Sequence, residues 1–209
     1  QLVAGEGFYA TALEVDLMPG EAYTKAGTGN NGRVSTLVVS KTFKPNPQTV
    51  YLPPAYAEVS RYLYSAYEFG HKFVPGGEDF ADNSVTRGKV DIFAGAGVAR
   101  ITLLELGGDF FGFMRQAEQK AREADTIVSQ VFLPLSRPCI GPAVDYLRDS
   151  GYFLGGVLPR WFDNDGFLMQ KLLAEPNWAG IKLYNRQAEN ILDMVRSDWH
   201  NAKKVLAGL

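Results

Sequence analysis

The fold is decided by the run Ala99-Arg100-Ile101-Thr102-Leu103-Leu104-Glu105-Leu106, which opens a stretch from Val98 to Leu173. Its apolar alternation predicts a strand, and the glycine-bearing loop at 107–112 leads into a polar-faced helix at 113–124. A strand at 127–133, a helix at about 140–150 and strands at 152–158 and 166–173 follow. A strand, a crossover helix and a returning strand form a right-handed unit whose mouth lies at the carboxyl end of the first strand.

Composition indicates a folded, globular protein. The chain has 209 residues, 46% of them hydrophobic, which is enough for a core. The formal charge of -2 and the absence of a basic patch argue against a nucleic-acid partner. No apolar run is long enough to span a membrane, so no membrane partner is expected.

The single cysteine and the amino terminus bear on location. Cys139 excludes an internal disulfide and a cysteine-rich metal site, which fits a reducing compartment. There is no export signal, so a cytoplasmic location is the expectation. The sequence begins with Gln1 rather than Met, and we interpret it as a domain cut from a longer chain.

The amino-terminal part predicts a shorter, related half. Strands are expected at 7–17, 33–43 and 49–52 and a helix at about 55–69, with turn chemistry at 29–32 and a linker at 71–83. This gives a division into 1–83 and 84–209. Arg33-Val34-Ser35-Thr36-Leu37 echoes Arg100-Ile101-Thr102-Leu103-Leu104, which indicates duplicated halves, although echoes this short also arise by coincidence.

The late helix carries a family resemblance. The run Ala143-Val144-Asp145-Tyr146-Leu147-Arg148-Asp149-Ser150-Gly151-Tyr152, together with the order of elements over about Thr86 to Leu173, resembles the catalytic half of the GNAT acyltransferase superfamily. The resemblance implies an α/β (α+β) fold with a mixed sheet and helices on both faces. It also implies a site for acetyl-CoA or another acyl-CoA in the splay between the strands at 99–106 and 127–133.

A looser resemblance concerns the whole chain. It is similar to a tandem region found carboxyl-terminal to anti-sigma-factor-type ATPase domains in bacterial regulatory proteins. That likeness implies an attached regulatory domain and agrees with the start at Gln1.

The loop after the central strand is the candidate cofactor site. In the GNAT family, backbone N–H groups at the helix start hold the cofactor pyrophosphate. By this resemblance the cofactor-binding residues are Leu106, Gly107, Gly108 and Gly112. The family's Arg or Gln before the glycines is missing, and Phe110-Phe111 lie inside the loop, so a plain turn with aromatic packing is the alternative.

Two residues are candidate catalytic groups. Glu105 lies late on the central strand, where a carboxylate could remove a proton from an amine; otherwise it is a solvated strand residue. The family's acid is a tyrosine four residues before the closing glycine, a position held here by Leu147. Tyr146 lies one place away, about 100° around the helix, and is either the acid or an aromatic of the core or pocket wall.

Other polar residues predict structure rather than chemistry. Asp163-Asn164-Asp165 is typical of a hairpin turn more than of a calcium loop. Metal binding is not expected, because His71 and His200 stand far apart in sequence without a ligand pattern around either. Asp109 is expected to cap the next helix, and Cys139 is expected to be a small buried residue.

These observations favour an acyl-CoA-dependent N-acyltransferase that acts on the amine of a small molecule or peptide. One alternative is a catalytically silent GNAT-like module that binds a ligand or a protein and regulates an attached domain. Another is an unrelated α+β ligand-binding domain, because fold alone does not fix function.

Overall fold

The structure is a computed structural model that describes residues 7–21, 32–66 and 69–207. The turn predicted at 29–32 lies outside these ranges except for Gly32. The strands are β1 (Tyr9–Pro19), β2 (Arg33–Ser40), β3 (Thr49–Leu52), β4 (Lys72–Pro75), β5 (Arg87–Phe93), β6 (Val98–Glu105), β7 (Val128–Pro134), β8 (Phe153–Leu158) and β9 (Gly166–Leu172). The helices are α1 (Ala57–Tyr64), α2 (Phe110–Glu123), α3 (Ile140–Asp149) and α4 (Arg186–Ala207).

Seven strands form one sheet in the order β2-β1-β8-β9-β7-β6-β5. Strands β6 and β7 pair in parallel, and the other neighbours in this sheet pair antiparallel. Strands β3 and β4 form a separate parallel pair. The predicted mixed α+β fold is confirmed, and the order of elements between β5 and β9 is the one expected from the sequence.

Alternation along β6 explains how the sheet is buried. Ile101 and Leu103 are fully buried, whereas Leu104 is 53% exposed. Full burial of a large aliphatic side chain stabilises the fold by about 1.5–3 kcal/mol, so the alternation fixes which side of β6 faces the core. Buried side chains from the four described helices join one large core, and a smaller cluster comprises Ala12, Phe132, Leu158 and Leu168.

The late helix ends as its sequence predicted. Gly151 adopts a φ of +84°, and the N–H of Tyr152 donates to the carbonyl of Leu147 at 2.9 Å. Glycine is favoured there because a left-handed φ carries no Cβ penalty, so the chain leaves α3 and enters β8 directly.

The interval predicted as a linker contains structure. Residues 72–75 form β4, which pairs with β3 from Thr49↔Lys72 to Leu52↔Pro75. The bounds of β3 are those predicted. The division between residues 83 and 84 stays a prediction, and β1 and β2 lie in the same sheet as β5 to β9.

The amino-terminal strands join the sheet through a side chain. Strands β1 and β8 pair at one position, Ala12↔Gly156. Beside it, the buried amide of Gln170 accepts from the N–H of Val15 at 2.8 Å and donates to the carbonyls of Leu13 at 2.8 Å and Leu154 at 3.1 Å. Gln170 therefore supplies bonds that a strand ladder would otherwise make.

Candidate functional site

The parallel strands at the centre of the sheet diverge. Pairing runs from Val98↔Val128 to Thr102↔Phe132 and stops, although β6 continues to Glu105. Beyond this point β5 stays with β6, and β7 stays with β9. A cleft therefore opens at the carboxyl ends of β6 and β7, at the place that the element order predicted.

The cleft has a polar backbone edge. The carbonyl of Leu104 faces it and accepts from Nη2 of Arg137 at 3.5 Å. The register of β5 against β6 shifts between Leu103 and Glu105, so Leu104 is the additional residue at this irregularity. A cavity of about 610 Å³ borders the exposed Leu104 side chain and is also lined by residues 160–163, a volume within the range of small-molecule sites.

Glu105 is the last residue of β6, at the mouth of the cleft, and has an ionic partner. Its Oε1 lies 2.6 Å from Nη2 of Arg137, with the two side chains 42% and 38% exposed respectively. Arg137 could not be identified from the sequence, because the loop after β7 gives no local signal that it reaches β6. The carboxylate and the guanidinium together set the charge at the mouth.

Two backbone N–H groups of the loop at 107–112 donate hydrogen bonds to the neighbouring segment of the protein. The N–H of Gly107 donates to Oγ1 of Thr86 at 3.0 Å, and that of Gly108 to the carbonyl of Ser84 at 3.0 Å. A Cβ on Gly107 would lie 2.5 Å from the Ser84 oxygen, so glycine permits this close approach. The segment 84–86 therefore covers the two amides that the resemblance assigned to cofactor phosphates.

Asp109 adds a negative charge to the loop. It stands at the amino terminus of α2, but its side chain does not make the predicted cap. Instead, Oδ1 accepts from the N–H of Thr86 at 2.6 Å, and this bond lowers the pKa of the carboxyl. A carboxylate here repels a phosphate group nearby.

The other two predicted cofactor residues differ in exposure. A Cβ on Gly112 would meet no atom within 4 Å, so this first turn of α2 is open to a ligand. Leu106 is buried, and its carbonyl oxygen lies 3.9 Å from Sγ of Cys139. Burial raises the pKa of the Cys139 thiol. The burial of Cys139 confirms its prediction, whereas the roles of Leu106, Gly107, Gly108 and Gly112 in cofactor binding stay predictions.

Tyr146 packs on the aromatic residues of the loop. Its ring centroid lies 5.7 Å from that of the fully buried Phe110 and 5.1 Å from that of Phe111. Phe80 stacks on Phe110 at 5.1 Å and completes this cluster. Tyr146 is half-buried in the wall beside the glycine loop, and Leu147 is fully buried. A catalytic role for Tyr146 stays a prediction.

Sequence reasoning missed a buried carboxylate. Asp165, interpreted as part of a hairpin turn, is 1% exposed and accepts from the Gln48 amide at 2.6 Å and the Tyr64 hydroxyl at 2.7 Å. Nδ1 of His71 accepts from the N–H of Gln48 at 3.3 Å, so Nε2 carries the proton and faces Asp165 at 3.3 Å. The partners lie about 100 residues apart, and no local pattern links them.

The described residues show neither a metal-ion site nor a membrane-spanning helix. Over the ranges 7–21, 32–66 and 69–207, no group of three His, Cys, Asp or Glu side chains is arranged to hold a metal ion. In the same ranges, no helix combines the length and apolar character needed to cross a bilayer.

The fold and the site define a mixed α+β domain with a cleft between two diverging parallel strands. No protein-family model matches the chain, and no curated protein matches it. Among solved structures, the crystal structure of Ard1 from Thermoplasma volcanium is similar with a TM-score of 0.34 and 15% identity. The match covers 44% of this chain and 64% of that one, less than two thirds of its length.

Proposed function

We propose that the chain is an acyl-CoA-dependent N-acyltransferase of GNAT type whose cleft between β6 and β7 receives the acyl-pantetheine arm. The observation that carries this proposal is the end of pairing at Thr102↔Phe132, which leaves the last residues of β6 without a partner strand on that side; the Leu104 carbonyl there has only the 3.5 Å contact with Arg137. An extended, amide-bearing chain can bond to such a strand edge as another strand would.

The chemistry would use the groups at the mouth. The amine of a small molecule or peptide attacks the thioester carbonyl, its nitrogen forms the new C–N bond, and the C–S bond breaks. Glu105 accepts the proton that the amine loses, and the leaving thiolate takes a proton from Tyr146. Arg137 holds the Glu105 carboxylate at the mouth through the 2.6 Å contact.

A binding experiment tests the cleft. Isothermal titration of acetyl-CoA and acetyl-pantetheine against the wild-type chain is compared with Leu104→Trp, which places a bulky ring at the mouth from a half-exposed position. Acetyl-CoA at a hundred times its Kd also stabilises the fold by about 2.7 kcal/mol. We expect Leu104→Trp to weaken binding by at least about tenfold, since a filled site excludes the arm.

The matched control is Leu173→Trp, because Leu173 is 68% exposed just beyond the end of β9 and does not line the mouth. Its affinity should equal that of the wild type. If neither acetyl-CoA nor acetyl-pantetheine binds at millimolar concentration, the acyltransferase proposal is wrong.

A second candidate is a catalytically silent GNAT-like module that binds a ligand or protein and regulates an attached domain. The observation that favours it is the use of the Gly107 and Gly108 amides by Thr86 and Ser84. If those amides stay covered, the phosphates of acetyl-CoA contribute nothing to its affinity. Acetyl-pantetheine, which lacks them, then binds as tightly as acetyl-CoA. Tighter binding of acetyl-CoA, with release of CoA in the presence of an amine, favours the enzyme.

A further inference from the structure

A second cavity, of about 590 Å³, lies where three connecting segments meet. Its walls come from residues 40–46 after β2, from Phe69 and His71 before β4, and from Pro159 and Arg160 after β8. This volume is also within the range of small-molecule sites.

Three cations line this cavity. Lys41, Lys44 and Arg160 contribute to its walls, although the chain as a whole carries a formal charge of -2. Within the described ranges, none of the three forms a salt bridge with an acidic side chain. Lys41 Nζ lies 5.3 Å from the ring centroid of Phe8 and 5.4 Å from that of Phe43, which leaves its N–H donors available.

The acidic group behind the wall is already bonded. Asp165 accepts from the backbone N–H of Arg160 at 3.0 Å, and its other bonds run to Gln48 and Tyr64. Because Asp165 is 1% exposed, it holds the Arg160 backbone without pairing with the Arg160 guanidinium.

The backbone of Arg160 is unusual for its residue type. Its φ is +59°, a left-handed value that is uncommon for residues other than glycine, Asn and Asp. Asp165 stabilises this turn, and the exposed side chain lines the cavity. A guanidinium offers a planar fork of donors that suits phosphate and carboxylate groups.

We infer that this cavity, termed the oxyanion pocket, binds a small molecule that bears a phosphate or carboxylate group. Lys41, Lys44 and Arg160 would bind the oxyanion, while Phe43 and Phe69 offer apolar wall to the rest of the ligand. The inference does not depend on acyl transfer.

Titration with two simple probes tests the oxyanion pocket. Pyrophosphate represents the phosphate source and citrate the carboxylate source, each added to the whole chain in isothermal titration at low ionic strength. The main variant is Arg160→Gly, because glycine tolerates the left-handed φ and the substitution removes only the cation. Lys44→Ala removes a second cation from an exposed position.

The control variant is Lys89→Ala, on β5 at the opposite edge of the sheet from β2. We expect at least one probe to bind with one-to-one stoichiometry. Its affinity should fall by about tenfold or more in Arg160→Gly and in Lys44→Ala, because hydrogen bonds to charged groups are stronger than those between neutral groups. Lys89→Ala should bind as the wild type does. The probe that binds more tightly shows whether the pocket prefers a phosphate group or a carboxylate group.

Three results would overturn the inference: no binding of either probe at millimolar concentration, unchanged binding in Arg160→Gly, or equal weakening in Lys89→Ala. Lys44→Ala keeps this result separate from the proposed function. Lys44 lines the oxyanion pocket but not the cavity beside Leu104, whereas Arg160 lines both, so Lys44→Ala should leave the affinity for the phosphate-free acetyl-pantetheine unchanged.

Discussion

The carboxylate of Glu105 and the guanidinium of Arg137 lie 2.6 Å apart across the mouth of the cleft. The contact joins the last residue of β6 to the loop after β7, beyond the point where the two strands stop pairing. Under the proposed function, the pair puts the candidate base and a cation together at the carboxyl end of β6.

Glu105→Gln separates catalysis from binding. The amide keeps the shape but cannot accept a proton from the amine, so the rate of CoA release should fall by about 100-fold or more. The affinity for acetyl-CoA should stay the same, and stability should change by less than about 1 kcal/mol because the ion pair is partly exposed. Free thiol release measured with an amine acceptor gives the rate. An unchanged rate would clear Glu105 of a catalytic role.

Gly107→Ala tests the closeness of the covering segment. A Cβ at this position would lie 2.5 Å from the Ser84 oxygen and 2.6 Å from the Val85 carbonyl carbon, so we expect a loss of about 1–3 kcal/mol. Gly112→Ala is the matched control: it meets no atom within 4 Å and should stabilise α2 by about 0.5–1 kcal/mol. Urea denaturation measures both. Equal stabilities for the two variants would contradict the packing described.

Asp165→Asn tests the buried carboxylate. The amide brings its own N–H donors to a site where Gln48, Tyr64 and the Arg160 backbone already donate, so we expect a loss of about 2 kcal/mol or more. Asp163→Asn lies in the same loop at an exposed position and should change stability by less than about 0.5 kcal/mol. Thermal denaturation compares them, and similar losses would show that Asp165 does not organise the loop.

His71 makes stability depend on pH. Burial lowers its pKa, although Asp165 acts in the opposite direction. The unfolded chain therefore takes up a proton at higher pH than the folded chain does. The contribution of His71 to stability is complete above its ordinary pKa of 6.5 and is lost as the pH falls below that value.

The measurement for His71 is the free energy of unfolding by urea at about pH 7.5 and about pH 5.5, on either side of the ordinary histidine pKa. His71→Gln cannot titrate in this range, so the difference between the two pH values should shrink. If the wild type and the variant show the same difference, His71 does not contribute to it.

The order of elements from β5 to β9 could be predicted because each element carries its own local signal. Alternation marks β6, and the closing Gly151 marks the end of α3. Strand β4 was missed because it has four residues in a segment rich in glycine and proline, and its partner β3 lies about 20 residues earlier.

The candidate site was less predictable than the fold. The position of Glu105 at the cleft follows from strand order, but its contact with Arg137 depends on how a loop folds back. The cover over Gly107 and Gly108 comes from residues 84–86, about 20 positions away, and depends on tertiary packing. The bonds of Asp165 join residues about 100 positions apart, a separation at which side-chain type gives no information.

The amide of Gln170 has a consequence for how the molecule opens. Since β1 and β8 share one paired position, Gln170 supplies two side-chain hydrogen bonds to the amino-terminal hairpin, beside the bond from Gln130 to Glu14 and the packing of Leu13 and Val15 in the main core. Replacing Gln170 by leucine would leave the Val15 N–H and the Leu13 carbonyl without these partners, so the amide hydrogens of β1 should lose protection in deuterium before those of β7 and β9.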